Sequence, residues 1–318
     1  MNIVDLHCDT IYECWQNKDV RPLRDGDGHL NLEMMKEGGA LLQCFAVFIS
    51  MPTLKELGIT PWEYFDSAQK HFHFEMDRNS DLILPATNYD EIMANKEAGK
   101  MSAMLTIEDG VCLEGKMENL YKAYDDGVRL ITLMWNHENE IGSPNRKDAD
   151  EHKKGLKPFG KDLVAEMNRL GVIVDVSHSS EGNFYDVAEI STKPFVASHS
   201  CARDLCDHQR NLDDKQLKVL GEKGGVCGIN FYADFLNDDG SLLTFDRVLE
   251  HAKHIKDKAG IDAVAMGSDF DGIEDPGEIV NYAGFPKLVD YLQKEFTDDE
   301  IDKITHENAL RVIKEVCK

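Results

Sequence analysis

The sequence has little positive charge, no closely spaced cysteine pairs and no long apolar segment. Its 35 Lys and Arg residues stand against 59 Asp and Glu residues, which gives a formal net charge of -24 at pH 7. Such a polyanion repels nucleic acid and anionic lipid, while it attracts divalent cations. Since the chain also has no apolar run that could cross a bilayer, we expect neither a nucleic-acid nor a membrane partner.

The eight cysteines are scattered without Cys-x-x-Cys spacing, and several lie inside apolar runs. Buried thiols are common in such runs, so we interpret them as reduced packing residues. The chain enters an apolar run at Asn2 with no basic leader before it. We therefore expect a cytoplasmic protein.

Short apolar runs recur along the chain, and polar stretches compatible with helices separate them. Eight are found, centred on residues 2–7, 41–49, 101–107, 129–135, 172–177, 195–199, 225–230 and 262–267. Continuous rather than alternating hydrophobic runs are typical of strands buried on both faces of a parallel sheet. The pattern predicts a closed (β/α)8 TIM barrel, formed as a single domain over residues 1–318 with terminal helices at about 285–318.

Helix boundaries are marked by caps and glycines. Residues 61–79 follow Thr60 as a cap, and we expect helices over 161–170 and 213–220 to end at Gly171 and Gly221. The connections at 50–100 and 136–160 exceed ordinary loop lengths, so we expect extra helices or a cover over the barrel mouth there.

Five residues with metal-ligand chemistry stand where the predicted strands end. They are His7, Asp9, Glu108, His178 and His199. Side chains two apart on a strand share a face, so His7 and Asp9 are able to grip one ion, and a carboxylate such as Glu108 is able to bridge two. Because the carboxyl ends of parallel strands meet on one face of a barrel, the pattern predicts a metal site there.

Each of these residues has an ordinary structural interpretation as well. An isolated His-x-Asp arises often by chance, and a lone histidine after a strand is more often a satisfied packing residue. Asp109 competes with Glu108, but it should face away from the barrel axis and cap a loop. Only the placement of all five at equivalent strand ends favours a metal site.

Two further carboxylates follow the eighth run, in the segment from Gly267 to Gly272. Asp269 lies nearest the strand end and is our candidate proton acceptor beside a metal-bound water, whereas Asp271 is better suited to a turn. Zinc lowers the pKa of bound water to about 7, so this arrangement indicates hydrolysis.

Several ordered motifs resemble membrane dipeptidase, also called renal dipeptidase, a family of binuclear zinc hydrolases within the amidohydrolase-like barrels. The similar segments span nearly the whole chain, at residues 5–9, 106–109, 175–178, 197–200, 208–212, 267–272 and 308–312. The resemblance implies that His7 and Asp9 hold one zinc ion, that His178 and His199 hold the other, and that Glu108 bridges both.

The same resemblance assigns three residues to the reaction. It implies that Asp269 is the general acid/base and contacts the substrate, and that His137 contacts the substrate and the oxyanion. It also implies that Arg210 holds the terminal carboxylate of a dipeptide, which suits the rigid fork of a guanidinium. From the residues alone, His137 would be an ordinary loop histidine and Arg210 a surface ion-pair partner.

The chain departs from the animal members at Phe235, where we align a tyrosine of those proteins. It also shows neither their secretion signal nor their lipid-anchor signal. The other eight histidines match no ligand position, and we expect surface or packing roles for them. For His251 and His254, three apart on a predicted helix, we expect exposure to solvent.

These observations predict a cytoplasmic dipeptidase with two zinc ions per chain, a small dipeptide substrate and, from the family, a possible homodimer. One alternative is another amidohydrolase activity on lactones, cyclic amides or phosphotriesters, because one binuclear scaffold serves many substrates. The other is a non-catalytic metal- or peptide-binding barrel. The side-chain and stereochemical preference of the substrate is left open by the sequence.

Overall fold

A computed structural model describes residues 1–16 and 22–318 and shows a parallel barrel surrounded by helices. Its strands are β1 Ile3–Cys8, β2 Ala40–Phe48, β3 Ile83–Pro85, β4 Met101–Glu108, β5 Val128–Thr132, β6 Ile173–Asp175, β7 Val196–Ser200, β8 Val226–Ile229 and β9 Val264–Met266. All neighbours pair in parallel, in the order β2-β1-β9-β8-β7-β6-β5-β4, and a β2–β4 pairing closes the ring. The predicted (β/α)8 barrel is confirmed, with each predicted run forming one of the eight ring strands.

The strand β3 was not predicted, and it lies outside the ring. Its three residues pair with Met101–Ala103 at the start of β4, whereas β5 pairs with the later part of β4 from Leu105 onward. The strand β4 therefore has a third neighbour only at its amino-terminal end. This extra pairing is remote from the carboxyl ends of the strands.

Helices follow most strands and cover the outside of the barrel. They are α1 Thr10–Gln16, α2 Leu32–Glu37, α3 Met51–Leu57, α4 Pro61–Arg78, α5 Tyr89–Glu97, α6 Met117–Asp125, α7 Ala149–His152, α8 Pro158–Leu170, α9 Glu181–Ile190, α10 Asp214–Glu222, α11 Ala233–Leu236, α12 Phe245–Ala259, α13 Phe285–Leu292, α14 Asp298–Asp302 and α15 Asn308–Val316. A π-helical turn, Lys303–Glu307, joins α14 to α15. The long connection at 50–100 carries α3, α4 and α5, as expected.

The predicted helix boundaries are confirmed at two positions and wrong at a third. Thr60 caps α4 through a reciprocal capping box with Glu63, and Gly171 ends α8 in the left-handed conformation with φ 93°. Gly221, however, lies inside α10. A Cβ there would stand 2.2 Å from the carbonyl oxygen of Ala259, so this glycine permits close helix packing instead of ending the helix.

The strands β1, β4 and β5 are buried along their whole length, which is expected of strands covered on both faces. Across residues 1–16 and 22–318, no helix combines the length and apolar character required to cross a membrane. That the chain forms a single domain stays a prediction.

Candidate metal centre and active site

The carboxyl ends of four barrel strands bring the five predicted ligands together. His7 lies in β1 and Asp9 directly follows it, Glu108 is the last residue of β4, and His199 lies near the end of β7. His178 comes three residues after β6, in the left-handed conformation with φ 65°. All five side chains are buried.

The Glu108 carboxylate lies between two groups of ligand atoms. One oxygen, Oε2, is 3.6 Å from Nε2 of His7, whose Nε2 is in turn 3.8 Å from Oδ2 of Asp9. The other oxygen, Oε1, is 3.0 Å from Nε2 of His178 and 3.4 Å from Nε2 of His199. Each group with Glu108 forms a cluster whose ligand atoms lie within 4.8 Å of one another. Glu108 therefore belongs to two different groups of residues that could hold a metal ion.

Several polar atoms of this cluster are buried without forming a hydrogen bond in the described part of the chain. Both ring nitrogens of His7 and Oδ1 of Asp9 are buried without a hydrogen-bond partner among the described residues. Leaving such atoms unpaired costs about 1–3 kcal/mol each, and a bound cation removes that cost. Imidazole nitrogen and carboxylate oxygen are the ligands that zinc takes, so the residues present fit a pair of such ions.

The pKa shifts of the cluster are also those expected of residues that bind a cation. Burial lowers the pKa of both His178 and His199 well below the ordinary value, which keeps their lone pairs free for a metal. Burial and the nearby charge of Asp9 together raise the pKa of Glu108 to about 8, with His7 opposing the shift. Burial also acts to lower the pKa of His7, but Glu108 and Asp9 outweigh it and raise that pKa. A buried set of carboxylates of this kind is stabilised by a cation.

A hydrogen-bond relay fixes the ring of His199. Its Nδ1 lies 2.7 Å from Oγ of Ser198, and that hydroxyl donates to Oδ2 of Asp175 at 2.5 Å. Since a carboxylate only accepts, the hydroxyl must accept from Nδ1–H of His199, which leaves the Nε2 lone pair facing Glu108.

The ring of His178 is fixed in the same way by Asn136. Nδ1 of His178 lies 3.0 Å from Oδ1 of Asn136, whose backbone carbonyl accepts from Arg146. An amide oxygen accepts only, so His178 carries its proton on Nδ1 and presents Nε2 to the cluster. Asp175 lies within the family-like segment 175–178 and Asn136 directly precedes His137, but only the three-dimensional contacts give these two residues this role.

Asp269 stands beside the same cluster. Its Oδ1 is 3.7 Å from Nε2 of His7, and its Oδ2 accepts from the Asn230 amide at 2.9 Å. Burial raises its pKa to about 6, with His7 opposing and Asp9 adding to the shift. Asp271, for which a turn role was predicted, accepts from the Thr10 hydroxyl at 2.6 Å and from the His29 backbone N–H at 2.8 Å, and so ties its loop to two other segments.

A cavity of about 300 Å³ opens directly over the cluster. One wall is aromatic, with the rings of Tyr12 and Phe48 5.3 Å apart and those of Phe48 and Trp135 5.0 Å apart. The residues around it are Asp9, Tyr12, Phe48, Glu108, Trp135, Asn136, His178, Tyr232, Phe235, Asp269, Asp271, Gly272 and Ile273. Tyr12 lies in α1, Phe48 is the last residue of β2 and Trp135 follows β5, and the sequence pattern assigned none of these three to the site.

Arg210 borders a second cavity of about 520 Å³, which shares Asn136, His178, Tyr232 and Phe235 with the first. Its Nη1 donates to the Ser200 hydroxyl at 2.7 Å, but its Nε and Nη2 are buried and have no hydrogen-bond partner in the described part of the chain. Burial lowers the pKa of Arg210 from its high ordinary value. A guanidinium with two unused N–H donors can bind an anionic group such as a carboxylate.

His137 and Phe235 differ in their relation to these cavities. Nε2 of His137 lies 2.9 Å from Oδ2 of Asp109, and His137 does not line either cavity. Asp109 itself caps a short helical turn through Val111, as predicted. Phe235 lines both cavities and lies 5.5 Å under the guanidinium of Arg210, so the phenyl ring supports that side chain.

The predicted exposure of His251 is wrong. The side chain is fully buried, with Nδ1 accepting from the Ala202 amide at 3.1 Å and Nε2 donating to the Leu236 carbonyl at 3.1 Å. His254 is partly exposed and pairs with Asp214 at 2.6 Å. The helix α12 packs the first histidine inward to complete the backbone hydrogen bonding of two loops.

Comparison with known proteins agrees with this geometry. A family model described as membrane dipeptidase, peptidase family M19, matches residues 1–318. The chain belongs to the membrane dipeptidase family. An uncharacterised dipeptidase of Schizosaccharomyces pombe is 30% identical over 98% of this chain and 80% of its own length. The resemblance stated from the sequence motifs is thereby confirmed.

Solved structures of the family superpose closely. Dipeptidase AC, a metallopeptidase of family M19, matches with a TM-score of 0.91 at 28% identity, covering 100% of this chain and 99% of its own. A metallopeptidase from Rhodobacter sphaeroides, liganded with a phosphinate mimic of the dipeptide L-Ala-D-Ala, matches with a TM-score of 0.90 at 27% identity, covering 99% of both chains. The dipeptidase family fold therefore extends over the whole described chain.

Proposed function

We propose that this chain is a dipeptidase that works with two zinc ions. Family membership makes it a metal-dependent hydrolase of dipeptides. The observation that carries the two-ion proposal is the Glu108 carboxylate, since its two oxygens face different imidazole groups. His7 and Asp9 would hold one ion, and His178 and His199 the other.

Zinc ions at this position would supply an activated water and polarise the scissile carbonyl. The chain supplies the proton transfers. Asp269 is placed to take the proton of the attacking water and to return it to the leaving amine, because its Oδ1 faces the cluster while Asn230 holds Oδ2. The raised pKa of Asp269 suits a group that must both accept and donate near neutral pH.

The two ends of the substrate have different partners. Arg210 would bind the terminal carboxylate through Nε and Nη2, which are its unused donors. The Asp269 carboxylate, which is not among the proposed metal ligands, borders the other cavity and would accept from the free amine. We retain His137 as a candidate for the oxyanion, which requires it to leave Asp109.

The configuration of the carboxyl-terminal residue of the dipeptide substrate is a second part of the proposal. The Rhodobacter sphaeroides relative is liganded with a mimic of L-Ala-D-Ala. We therefore propose that this chain accepts a D-residue at the carboxyl-terminal position. Paired L,L and L,D dipeptides with the same side chains separate this preference from general activity.

Metal analysis combined with turnover tests the proposal. Protein stripped with a chelator and titrated with zinc should regain dipeptide hydrolysis and bind two equivalents, whereas Glu108→Gln should bind less and lose activity. Glu97→Gln, at an exposed glutamate, is the matched control. One equivalent at full activity would contradict the bridged pair.

A substrate panel separates the remaining activities. Hydrolysis of lactones, cyclic amides or phosphotriesters in preference to dipeptides would favour another amidohydrolase reaction. Zinc binding without turnover of any of them would favour a binding module. A homodimer and a cytoplasmic location remain proposals, which light scattering of the purified protein and cell fractionation test.

A further inference from the structure

The second cavity carries positive charge in a strongly acidic protein. Arg210 lies at its inner end, and Arg146 and Lys147 are exposed at its outer edge. The only carboxylate among its lining residues is that of Asp234, which the Tyr232 hydroxyl hydrogen-bonds. Three cationic side chains thus oppose one carboxylate, although the chain as a whole has a net charge of -24.

The outer cations are free to act on a ligand. Within the described ranges, neither Arg146 nor Lys147 has a carboxylate oxygen within 4.0 Å of its charged nitrogen atoms. Arg146 uses one guanidinium N–H to bond the Asn136 carbonyl at 3.1 Å. His208 also lines the cavity, and burial lowers its pKa, so it is neutral near pH 7. The positive charge therefore comes from the three long side chains.

We propose that this cavity selects dipeptides whose carboxyl-terminal residue carries an acidic side chain. The inference rests on the proposed function, in which Arg210 takes the terminal carboxylate. Arg210 is 4% exposed and its two unused donors, Nε and Nη2, suffice for one carboxylate at the closed end of the cavity. A second carboxylate on the same residue must extend toward the outer edge, where Arg146 and Lys147 are.

The expected size of the preference follows from the exposure of these two cations. Exposed ion pairs are weak, at a few-fold in affinity each, and two acting together give on the order of tenfold. Dissolved salt screens such pairs, so the preference should shrink as ionic strength rises. A preference that came only from the buried Arg210 would depend much less on ionic strength.

The experiment compares substrates that differ only in charge. We expect kcat/KM to be about tenfold higher for Ala-Asp than for Ala-Asn, and for Ala-Glu than for Ala-Gln, with the second residue tested in both configurations. Lys147→Glu and the double variant Arg146→Gln/Lys147→Gln should lower these ratios toward one. Lys96→Glu, at an exposed lysine near the end of α5 that lines neither cavity, should leave them unchanged.

The ratio is the decisive measurement, because a variant that disturbs Asn136 through Arg146 alters both substrates alike. Equal kcat/KM for acidic and amide substrates, or a preference that survives Lys147→Glu and high salt, would overturn the inference while leaving the dipeptidase proposal intact. Failure to cleave any dipeptide would instead overturn the proposed function.

Discussion

Replacing Asp269 with Asn removes the proposed proton acceptor while it keeps the size of the side chain. The carboxylate accepts from the Asn230 amide through Oδ2 and turns Oδ1 toward His7 at 3.7 Å. In Asp269→Asn, the amide oxygen is needed for the bond from Asn230, so its NH2 group must face the cluster. The acceptor that would take the proton of the attacking water is then lost.

The expected loss is large because general acid/base groups contribute about 10²- to 10⁴-fold in rate. At 1.36 kcal/mol for each factor of ten, this corresponds to about 3–5 kcal/mol in the activation free energy. The five proposed metal ligands are untouched, so zinc content should stay at the wild-type value. The loss should appear mainly in kcat, since the substitution leaves the proposed contact between Arg210 and the terminal carboxylate unchanged.

The assay is steady-state hydrolysis of one good dipeptide, with the zinc content of the same sample measured in parallel. Asn230→Ala is a useful companion, because it leaves the Asp269 carboxylate in place but frees its Oδ2. A kcat for Asp269→Asn within fivefold of wild type at equal zinc content would remove Asp269 from the proton transfers. Loss of zinc from this variant would show that it acts as a ligand instead.

Three further predictions concern Arg210, the hydrogen bond between Ser198 and His199, and the buried His251. Arg210→Ala should lower kcat/KM about a hundredfold on free dipeptides but little on their carboxyl-terminal amides, because two charged hydrogen bonds are lost; an equal loss on both would contradict its role. Ser198→Ala should weaken zinc affinity about 10- to 100-fold in a chelator competition, since Nδ1–H of His199 loses its acceptor; unchanged affinity would refute the relay. Burial lowers the pKa of His251 to about 4, below the unfolded value of 6.5, so the unfolded chain binds the extra proton and stability is lost as pH falls from about 6.5 to about 4. The free energy of unfolding should fall by about 3 kcal/mol over this pH range because of His251. Urea unfolding at several pH values should show a smaller pH dependence of stability for His251→Asn than for wild type. The same pH dependence in both proteins would contradict this role of His251.

The barrel and the position of the ligands were predictable because both depend on strand ends. A buried parallel strand is a continuous apolar run, and its carboxyl end fixes which face a following polar residue occupies. His7, Glu108 and His199 each lie at such an end, so the sequence order alone brings them to one rim. The irregular turn at His178 changed only its backbone conformation, not the rim that it reaches.

Features that depend on packing between distant segments were not predictable. The strand Ile83–Pro85 has three residues, too few for a recognisable run, and it exists only because the start of β4 has a free edge. Gly221 resembles a helix end in sequence, yet its role is set by Ala259, nearly forty positions away in the chain. His251 has the spacing of a surface residue, but two loop backbones need its nitrogens.

The two adjoining cavities give a physical reason for a dipeptide substrate. The metal-side cavity is bordered by Asp9, Glu108 and Asp269, and the other is closed at its inner end by Arg210. In the proposed function, a dipeptide would place its scissile amide beside the metal centre and its terminal carboxylate at Arg210. An additional residue at the carboxyl end would move that carboxylate away from the buried guanidinium and leave its two donors unpaired, at a cost of about 1–3 kcal/mol. Length selection therefore follows from the burial of Arg210 and not from the volume of either cavity.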